Sequence, residues 1–252
     1  MPLTGLRWDR SALLLDMDGT LLDIAPTPGA VRVAPGLADA LRGLRDRLGG
    51  ALAVVTGRPI EQVDALLPGI PHAVAGEHGG AIRHVPGGPI VRADLPSPPD
   101  AWVAEAARLA DGYPGVLLER KQRGFVLHYR AVPELGPMLR DAALAIIAPG
   151  CERFQLLEAL MAWEVRPRGA DKGRAVEGLM AGPPFAGRHP IFIGDDATDE
   201  DGMRAARALG GFGFRVDAFF GDPAGVRAWL DRAAVGPDGW PDLPNRPVLP
   251  GG

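Results

Sequence analysis

The stretch Ser11-Ala12-Leu13-Leu14-Leu15-Asp16-Met17-Asp18-Gly19-Thr20 decides the fold of this chain. Its first half is a short apolar run, which is typical of a strand buried on both faces of a parallel sheet. The run ends at two acidic residues and a glycine that lets the backbone turn sharply. Because open α/β sheets bind ligands at the carboxyl ends of their strands, we expect Asp16 and Asp18 to face a site there. Taken alone, the segment is also compatible with a calcium-type loop or a plain turn.

Strands and helices alternate at both ends of the chain, whereas the middle has a different texture. Apolar runs predict strands at 11–15, 51–55, 71–75, 191–193 and 212–216, and helical spacing predicts helices at 37–48, 60–67, 171–180, 199–208 and 224–233. The middle begins with a Pro- and Gly-rich stretch, followed by predicted helices at 101–110 and 134–147 and strands at 117–118, 124–129 and 162–165.

This arrangement predicts an α/β fold with a Rossmann-like parallel-sheet core that is interrupted by an inserted α+β cap domain. We place the discontinuous core domain at residues 1–82 and 168–252, and the cap at 83–167. The final residues, 237–252, contain five prolines and little periodicity, so we expect them to form a loose tail.

The composition argues against several classes of protein. The 252 residues carry a net charge of −4 without a basic run, which disfavours a nucleic-acid-binding surface. No apolar stretch approaches the roughly 18 residues of a membrane span, and the N-terminus does not have the pattern of a signal peptide. The single cysteine, Cys151, fits a reducing compartment and stands in no nucleophile signature. We therefore expect a cytoplasmic protein that binds neither nucleic acid nor membranes. We further expect a monomer, although composition does not determine the oligomeric state.

A second acidic segment follows the predicted strand at 191–193. Five acids lie within the seven residues 195–201, a density that favours a bound cation or strong hydrogen bonds. The alternative is a solvated turn that caps the next helix, and we favour it for Glu200 and Asp201. For Asp195 and Asp199 we predict metal binding, because the first acidic strand end already requires a cation.

Two further positions are candidates for an anion site. Thr56 follows the predicted strand at 51–55, and its hydroxyl and the adjacent amides could hold phosphate oxygens, although an ordinary helix N-cap is equally compatible. Lys172 begins a predicted helix, where a cation opposes the helix dipole. A nearby anion would account for this lysine, whereas a solvated side chain is the alternative.

The order of these four segments resembles the haloacid dehalogenase superfamily throughout the core. An Asp-x-Asp follows the first strand, a Thr follows the second, a Lys lies on a later helix, and Gly-Asp-Asp-x-x-Asp follows a later strand. The resemblance implies four catalytic residues: Asp16 as nucleophile, Asp18 as general acid and base, and Thr56 and Lys172 as phosphate ligands.

The same resemblance implies Mg²⁺ as cofactor. Its ligands would be Asp16, the backbone carbonyl of Asp18, and Asp195, with Asp199 in the shell or next to it. Mg²⁺ prefers such hard oxygen ligands and lowers the repulsion between a carboxylate and a phosphate dianion. Asp196 stays an alternative to Asp195 and Asp199, as does Asp201.

The segments that distinguish one phosphatase from another lie largely outside the strand ends. They are Glu119-Arg120-Lys121, His128-Tyr129-Arg130, Trp163-Glu164-Val165-Arg166-Pro167 and Gly76-Glu77-His78-Gly79. Together with the acidic segment at 194–201, they resemble the trehalose-6-phosphate phosphatases over roughly residues 8–235. The resemblance implies hydrolysis of trehalose 6-phosphate, in trehalose biosynthesis, through an aspartyl-phosphate. The alternative is another sugar-phosphate phosphatase of the superfamily, acting on sucrose or hexose phosphate.

Charged residues of the predicted cap are candidates for sugar recognition. Carboxylates accept and ammonium groups donate hydrogen bonds to hydroxyls, so we expect Glu119, Lys121 and Glu164 to bind the distal glucose. Arg123 and Arg130 are further candidates. For each of them the alternative is an exposed charge on the solvent face of an antiparallel sheet.

Three residues of the predicted core complete the candidate substrate-binding set: Arg58, Glu77 and His78. The last two are expected to shape the entrance of the site.

Two non-phosphatase classes fit the sequence poorly. A non-catalytic sensor would be expected to lack one of the first two aspartates, and a receiver-type module would need a much shorter chain without a cap.

Overall fold

The computed structural model describes residue 3 and residues 5–25, 30–121, 123–159, 161–236 and 239–244. The chain divides into two compact units. We call Met1–Ala93 with Asp171–Gly252 the core unit, and Asp94–Ala170 the inserted unit. Each unit has its own hydrophobic core.

The secondary structure alternates as the sequence predicts at both ends of the chain. The strands are β1 (Ser11–Leu15), β2 (Leu52–Val55), β3 (Ala73–Gly76), β4 (Ala81–Arg83), β5 (Val91–Arg92), β6 (Leu117–Lys121), β7 (Gly124–His128), β8 (Phe154–Ala159), β9 (Ala162–Pro167), β10 (His189–Gly194) and β11 (Phe212–Arg215). The α-helices are α1 (Leu37–Arg47), α2 (Ile60–Leu66), α3 (Asp100–Gly112), α4 (Gly136–Ile147), α5 (Lys172–Met180), α6 (Asp199–Ala208), α7 (Val216–Phe219) and α8 (Pro223–Val235). Among the described residues, no helix combines the length and the apolar composition that crossing a bilayer requires.

The core unit is built on a seven-stranded sheet in the order β11-β10-β1-β2-β3-β4-β5. The five strands from β11 to β3 are parallel, and β4 and β5 add to the edge in antiparallel fashion. β1 and β2 are buried along their whole length, which explains the apolar runs at 12–15 and 52–55. The chain order reverses beside β1, since β2 lies on one side of it and β10 on the other. This switch point places the ends of β1, β2 and β10 at one edge of the sheet.

The inserted unit is a four-stranded antiparallel sheet in the order β6-β7-β9-β8. Phe125, Leu127 and Val165 from its central strands pack with residues of α3 and α4 in one hydrophobic cluster. Because side chains alternate along a strand, the opposite face carries Glu119, Lys121, His128 and Glu164. The predicted α/β core with an inserted α+β domain is confirmed.

The unit boundaries lie at 93 and 170 in the structure, whereas the sequence predicts them near 82 and 168. The first differs because β4 and β5 continue the sheet of the core unit as a hairpin. These strands of three and two residues are too short for alternation to reveal them in a Gly- and Pro-rich stretch. Strand β8 was also missed, since Leu156 and Leu157 interrupt its alternation. The role of the inserted unit in substrate choice stays a prediction.

The expectation of a loose tail over 237–252 is wrong for the part that the structure describes, residues 239–244. Trp240 is buried, and its ring stacks on Trp229 at a centroid distance of 5.3 Å. Its indole nitrogen donates a hydrogen bond of 3.0 Å to the hydroxyl of Ser11. A single large aromatic residue thus anchors this segment, which an analysis of periodicity does not detect. Residues 237, 238 and 245–252 lie outside the described residues.

Candidate active site

Two buried polar residues follow neighbouring strands at one edge of the core sheet. Asp16 comes directly after β1, and its amide donates to the carbonyl of Ile193 at 2.9 Å. Thr56 comes directly after β2, and its amide donates to the carbonyl of Ala75 at 2.8 Å. In both residues, backbone hydrogen bonds to the neighbouring strand hold the residue that carries the functional side chain. The strand ends therefore present these groups from a rigid base.

Lys172 forms hydrogen bonds with an aspartate after β1 and with an aspartate at the start of α6. It is the first residue of α5, and its buried ammonium donates to Asp16 Oδ1 at 2.7 Å and to Asp199 Oδ1 at 2.6 Å. Burial alone would lower the pKa of Lys172, but the two carboxylates raise it above its usual value. The lysine is therefore protonated. These two aspartates are the anions that we expected near a lysine at the start of a helix.

The carboxylates of the site carry more negative charge than this lysine neutralises. Burial, together with the charges of Asp196 and Asp195, raises the pKa of Asp16 to about 7 against the opposing effect of Lys172. Burial and the neighbouring carboxylates likewise raise the pKa of Asp195 to about 6 and that of Asp199 well above its ordinary value. Fully and partly buried carboxylates that repel one another in this way are a fitting environment for a cation.

Three of these carboxylates have the geometry of a metal-binding group. One oxygen each from Asp16, Asp195 and Asp199 lies within 4.8 Å of the others. Gly19 has a φ of +81°, and a Cβ at this position would collide with the carboxylate of Asp195. Only glycine allows the loop after β1 to approach so closely the segment 195–200 that follows β10, which we call the acidic turn. All the donors are hard oxygens, which divalent cations such as Mg²⁺ prefer, so the residues present fit such an ion.

The acidic turn after β10 assigns different tasks to its aspartates. Oδ1 of Asp196 accepts hydrogen bonds from the amide of Thr198 at 2.8 Å and from its hydroxyl at 2.7 Å. It also accepts from the amide of Asp199 at 3.1 Å, so Asp196 stabilises the start of α6. Asp201 forms an ion pair at the surface of the same helix. Of the alternatives that the sequence leaves open, Asp195 and Asp199 lie in the cluster with Asp16.

Asp18 forms a bidentate ion pair with the buried side chain of Arg58. Nε and Nη2 of Arg58 donate to the two carboxylate oxygens of Asp18, each at 2.6 Å. The backbone amide of Arg58 also donates to Thr56 Oγ1 at 3.2 Å. The hydroxyl of Thr56 therefore stabilises the turn before α2 rather than capping the helix itself. Arg58, a predicted substrate ligand, thus contacts the predicted acid and base, and its binding of substrate stays a prediction.

Glu77 and His78 lie in a strained turn beside the segment 56–58. Both have positive φ angles, 53° and 55°, which non-glycine residues rarely adopt. Their amides donate to the carbonyls of Arg58 and Thr56 at 3.0 and 2.9 Å, respectively. The ring of His78 leaves no room for a side chain at Gly57, since a Cβ there would lie 2.6 Å from Nε2. Strain of this kind occurs preferentially at functional sites.

The open face of the inserted sheet carries two polar pairs. Nε2 of His128 lies 2.9 Å from Oε2 of Glu119, and Nζ of Lys121 donates to Oε1 of Glu164 at 3.3 Å. The hydrogen bond with His128, together with the charge of Lys121, lowers the pKa of Glu119 despite its partial burial. Glu119, Lys121 and Glu164, the predicted sugar-binding trio, therefore lie on one face of the sheet.

The two arginine candidates of the inserted unit lie in turns beside β6 and β7. Arg123 lies in the turn after β6 and donates a hydrogen bond to the carbonyl of Leu95. Arg130 is exposed, beyond the end of β7. The predicted substrate-binding roles of both arginines stay predictions.

The match to a family of known proteins extends over most of the chain. The model of the trehalose-phosphatase family matches residues 14–225. The chain belongs to the trehalose-phosphatase family. The protein is therefore a phosphatase, a phosphoric monoester hydrolase, and the resemblance drawn from its motifs is confirmed.

Individual members of the trehalose-phosphatase family agree with this assignment. The chain is 39% identical to a probable trehalose-phosphate phosphatase of Sinorhizobium fredii, over 82% of this chain and 78% of that protein. It is 34% identical to the trehalose-6-phosphate phosphatase of Escherichia coli K12, over 76% and 69%. The structure matches the C-terminal domain of C. albicans trehalose-6-phosphate phosphatase with a TM-score of 0.70 and 22% identity, over 80% of this chain and 74% of that chain. This last similarity shows the fold alone.

Several residues that contact the candidate site residues of this trehalose-phosphatase were not themselves named as candidates from the sequence, among them His128, Arg92 and Arg215. His128 binds Glu119, Arg92 donates to Glu77 at 2.6 Å, and Arg215 contacts the acidic turn. For His128 a signal existed, because it lies within a motif that carries the family resemblance. For Arg215 the signal was its place at the end of a predicted strand. Arg92 had no signal, because its hairpin was not predicted.

Proposed function

We propose that this trehalose-phosphatase hydrolyses trehalose 6-phosphate to trehalose and inorganic phosphate, in trehalose biosynthesis. The observation that carries the proposal is the buried cluster in which Lys172 joins Asp16 and Asp199. In a chain of this family, such a cluster is the expected machinery of phosphoryl transfer. Relatives in Sinorhizobium fredii and Escherichia coli are named for trehalose phosphate.

Asp16 and Asp18 are proposed to share the covalent chemistry. A carboxylate oxygen of Asp16 attacks phosphorus, and the bond from phosphorus to the sugar oxygen breaks. Asp18, once it has taken up a proton, gives that proton to the leaving oxygen, so trehalose leaves as a neutral alcohol. Asp18 then takes a proton from water, whose oxygen attacks the aspartyl-phosphate, releasing inorganic phosphate and restoring Asp16. The bidentate contact gives Arg58 the task of orienting Asp18, while its binding of substrate stays a prediction.

Thr56 and Lys172 are proposed to hold the phosphate. The hydroxyl of Thr56 is at the buried end of β2, and the ammonium of Lys172 already touches Asp16. A protonated lysine beside the nucleophile offsets the charge that accumulates when a carboxylate meets a phosphate dianion. Removal of this ammonium should therefore slow the reaction of every phosphate ester alike.

Asp16, Asp195, Asp199 and the backbone carbonyl of Asp18 are proposed to hold a divalent cation, Mg²⁺. When bound, the ion supplies charge neutralisation that lets the carboxylate approach the phosphate. The raised pKa values of Asp16 and Asp195 support this proposal, because they express an excess of buried negative charge. The turn that Asp196 stabilises keeps Asp195 and Asp199 in place for this purpose.

Glu119, Lys121 and Glu164 are proposed to bind the hydroxyls of the distal glucose. Their arrangement on one face supports this role, since a disaccharide presents many donors and acceptors side by side. Glu77 and His78 are proposed to line the entrance of the core site. Both the cytoplasmic location and the monomeric state stay predictions.

The preferred substrate separates this proposal from its alternative, a phosphatase for sucrose or hexose phosphates. We expect phosphate release from trehalose 6-phosphate to exceed that from sucrose 6-phosphate and glucose 6-phosphate in kcat/KM. The reason is that only trehalose offers its second glucose in the geometry that the trio is proposed to bind. The measurement is a phosphate-release assay of the purified protein on this panel. An equal or higher kcat/KM for another sugar phosphate would favour the alternative.

Alanine substitutions of Glu119, Lys121 and Glu164 test the sugar site separately. Each lost charge-assisted hydrogen bond is expected to cost roughly 1.5–3 kcal/mol, or about 10–150-fold in kcat/KM, on trehalose 6-phosphate. Binding energy from a remote part of the substrate positions its phosphate, so a small aryl phosphate that lacks the sugar should react almost unchanged.

Two controls accompany these variants. Glu158→Ala removes a carboxylate from the same sheet but from the opposite, helix-covered face, and should leave both substrates unaffected. Lys172→Ala should impair both substrates, because it acts on the phosphate. If the three alanine variants reduced activity on both substrates equally, these residues would support the fold rather than recognise sugar.

A further inference from the structure

Arg215, on β11, forms hydrogen bonds with the acidic turn that follows β10, and we call this set of contacts the clamp. It is the last residue of β11, where it pairs in register with Gly194 at the end of β10. Its Nη2 donates to the backbone carbonyl of Asp195 at 2.7 Å, and its Nη1 donates to Oε1 of Glu200 at 3.1 Å. Asp217 accepts from Nε at 3.0 Å and from Nη2 at 3.2 Å. One guanidinium group therefore contacts three residues through four hydrogen bonds.

These contacts bracket the turn that carries two of the proposed metal ligands. The carbonyl of Asp195 belongs to the peptide that leads into the turn, so holding it fixes the direction of the backbone beside this ligand. Glu200 follows Asp199 directly in the first turn of α6. Asp217 holds the planar guanidinium in the orientation that reaches both. Only arginine offers donors in such a fixed fork.

We propose that Arg215 is a positioning residue that orders the turn 195–200 for binding of the metal ion. The inference rests on the proposed function, because it assumes that Asp195 and Asp199 bind Mg²⁺. Partners outside the ligand set of a metal site commonly set its affinity by orienting the ligands. Arg215 would do this through a backbone carbonyl and a neighbouring side chain rather than through a ligand oxygen.

Whether the affinity for Mg²⁺ rises or falls when Arg215 is removed distinguishes positioning of the ligands from simple electrostatic repulsion. Removing a positive charge near a cation site should by itself strengthen binding of the cation, because a repulsion disappears. Loss of the clamp should weaken binding instead, because the ligands are no longer held. Arg204 is a matched control, since it pairs with Asp201 of the same helix at 2.8 Å but has no described hydrogen bond to the backbone of the turn.

The test is a calorimetric titration of Mg²⁺ into the purified chain without substrate. For Arg215→Ala we expect the Kd for Mg²⁺ to rise roughly 10–100-fold, with the far-UV circular dichroism unchanged. Arg215→Lys should behave like the alanine variant, because an ammonium group cannot replace the fork. The Arg204→Ala control should bind Mg²⁺ at least as tightly as the wild type.

Several outcomes would overturn the role of Arg215. They are a Kd within about twofold of wild type in Arg215→Ala, full rescue by Arg215→Lys, or an equal loss in Arg204→Ala. If Arg215→Ala does not fold, Glu200→Gln loosens the clamp while Asp201→Asn removes a similar charge outside it. A weaker affinity in Glu200→Gln than in Asp201→Asn supports the role, and equal affinities overturn it. Because the titration contains no substrate, its result is independent of whether trehalose 6-phosphate is hydrolysed.

Discussion

Replacing Asp16 with asparagine is expected to abolish turnover of trehalose 6-phosphate while leaving the fold intact. An amide is nearly isosteric with a carboxyl group but cannot attack phosphorus, and it is a poor ligand for a cation. The fold should tolerate the change, because burial already raises the pKa of Asp16 to about 7, so that a neutral group fits there. Lys172 also keeps its second carboxylate, Asp199, at 2.6 Å. Phosphate release and circular dichroism measure the two halves of this expectation.

Asp18→Asn is the comparison that locates the nucleophile. This variant keeps Asp16 and loses the proposed proton donor, a change that typically slows catalysis by about 10²–10⁴-fold and does not abolish it. The amide oxygen of the new side chain can still accept one hydrogen bond from Arg58. Loss of a nucleophile typically reduces kcat by far more than about tenfold. If Asp16→Asn retained turnover within about tenfold of wild type, Asp16 would be rejected as the nucleophile.

Removal of divalent cations is expected to eliminate activity, and Mg²⁺ is expected to restore it, whereas Ca²⁺ restores little. Without a cation, a single lysine faces the three clustered carboxylates of Asp16, Asp195 and Asp199. Calcium takes more ligands at longer distances, so it should disturb the alignment of the nucleophile with the phosphate. The assay is phosphate release in excess chelator, followed by titration with each metal.

The pH dependence of this activation follows from the same group. Asp16 and Asp195 have pKa values of about 7 and about 6 in the metal-free chain, so protons compete with the cation. The Mg²⁺ concentration for half-maximal activity should therefore fall as the pH rises from about 5.5 to about 8. Full activity in excess chelator would reject the metal site altogether.

The sequence predicted the parts of the site that lie at strand ends. Asp16, Thr56 and Asp195 each follow a buried apolar run, and parallel strands bring their carboxyl ends to one edge of the sheet. Lys172 was predictable for a similar reason, because a cation at a helix start is unfavourable unless an anion lies near it. For these residues, local pattern and the geometry of a parallel sheet are sufficient.

Other features were beyond the reach of local pattern. The sequence could not rank Asp196 against Asp195, because neighbouring aspartates in a turn differ only in the direction that the folded backbone gives them. The bidentate pair of Asp18 with Arg58 joins residues 40 positions apart, and its geometry depends on the packing of two loops. Trp240 in the predicted tail is an isolated aromatic residue whose partners lie far away along the chain.

The sequence by itself thus determined the α/β core with its inserted unit, the trehalose-phosphatase family, and the acidic and basic groups at the strand ends. Only the tertiary structure decided which aspartates cluster with Asp16 and that Asp18 is paired with Arg58. It alone also revealed that Arg215 grips the acidic turn from β11. The physical reason is that apolar periodicity specifies which backbone segments are buried and how they run. The direction of a polar side chain is instead set by hydrogen-bond partners that folding brings together from distant parts of the chain.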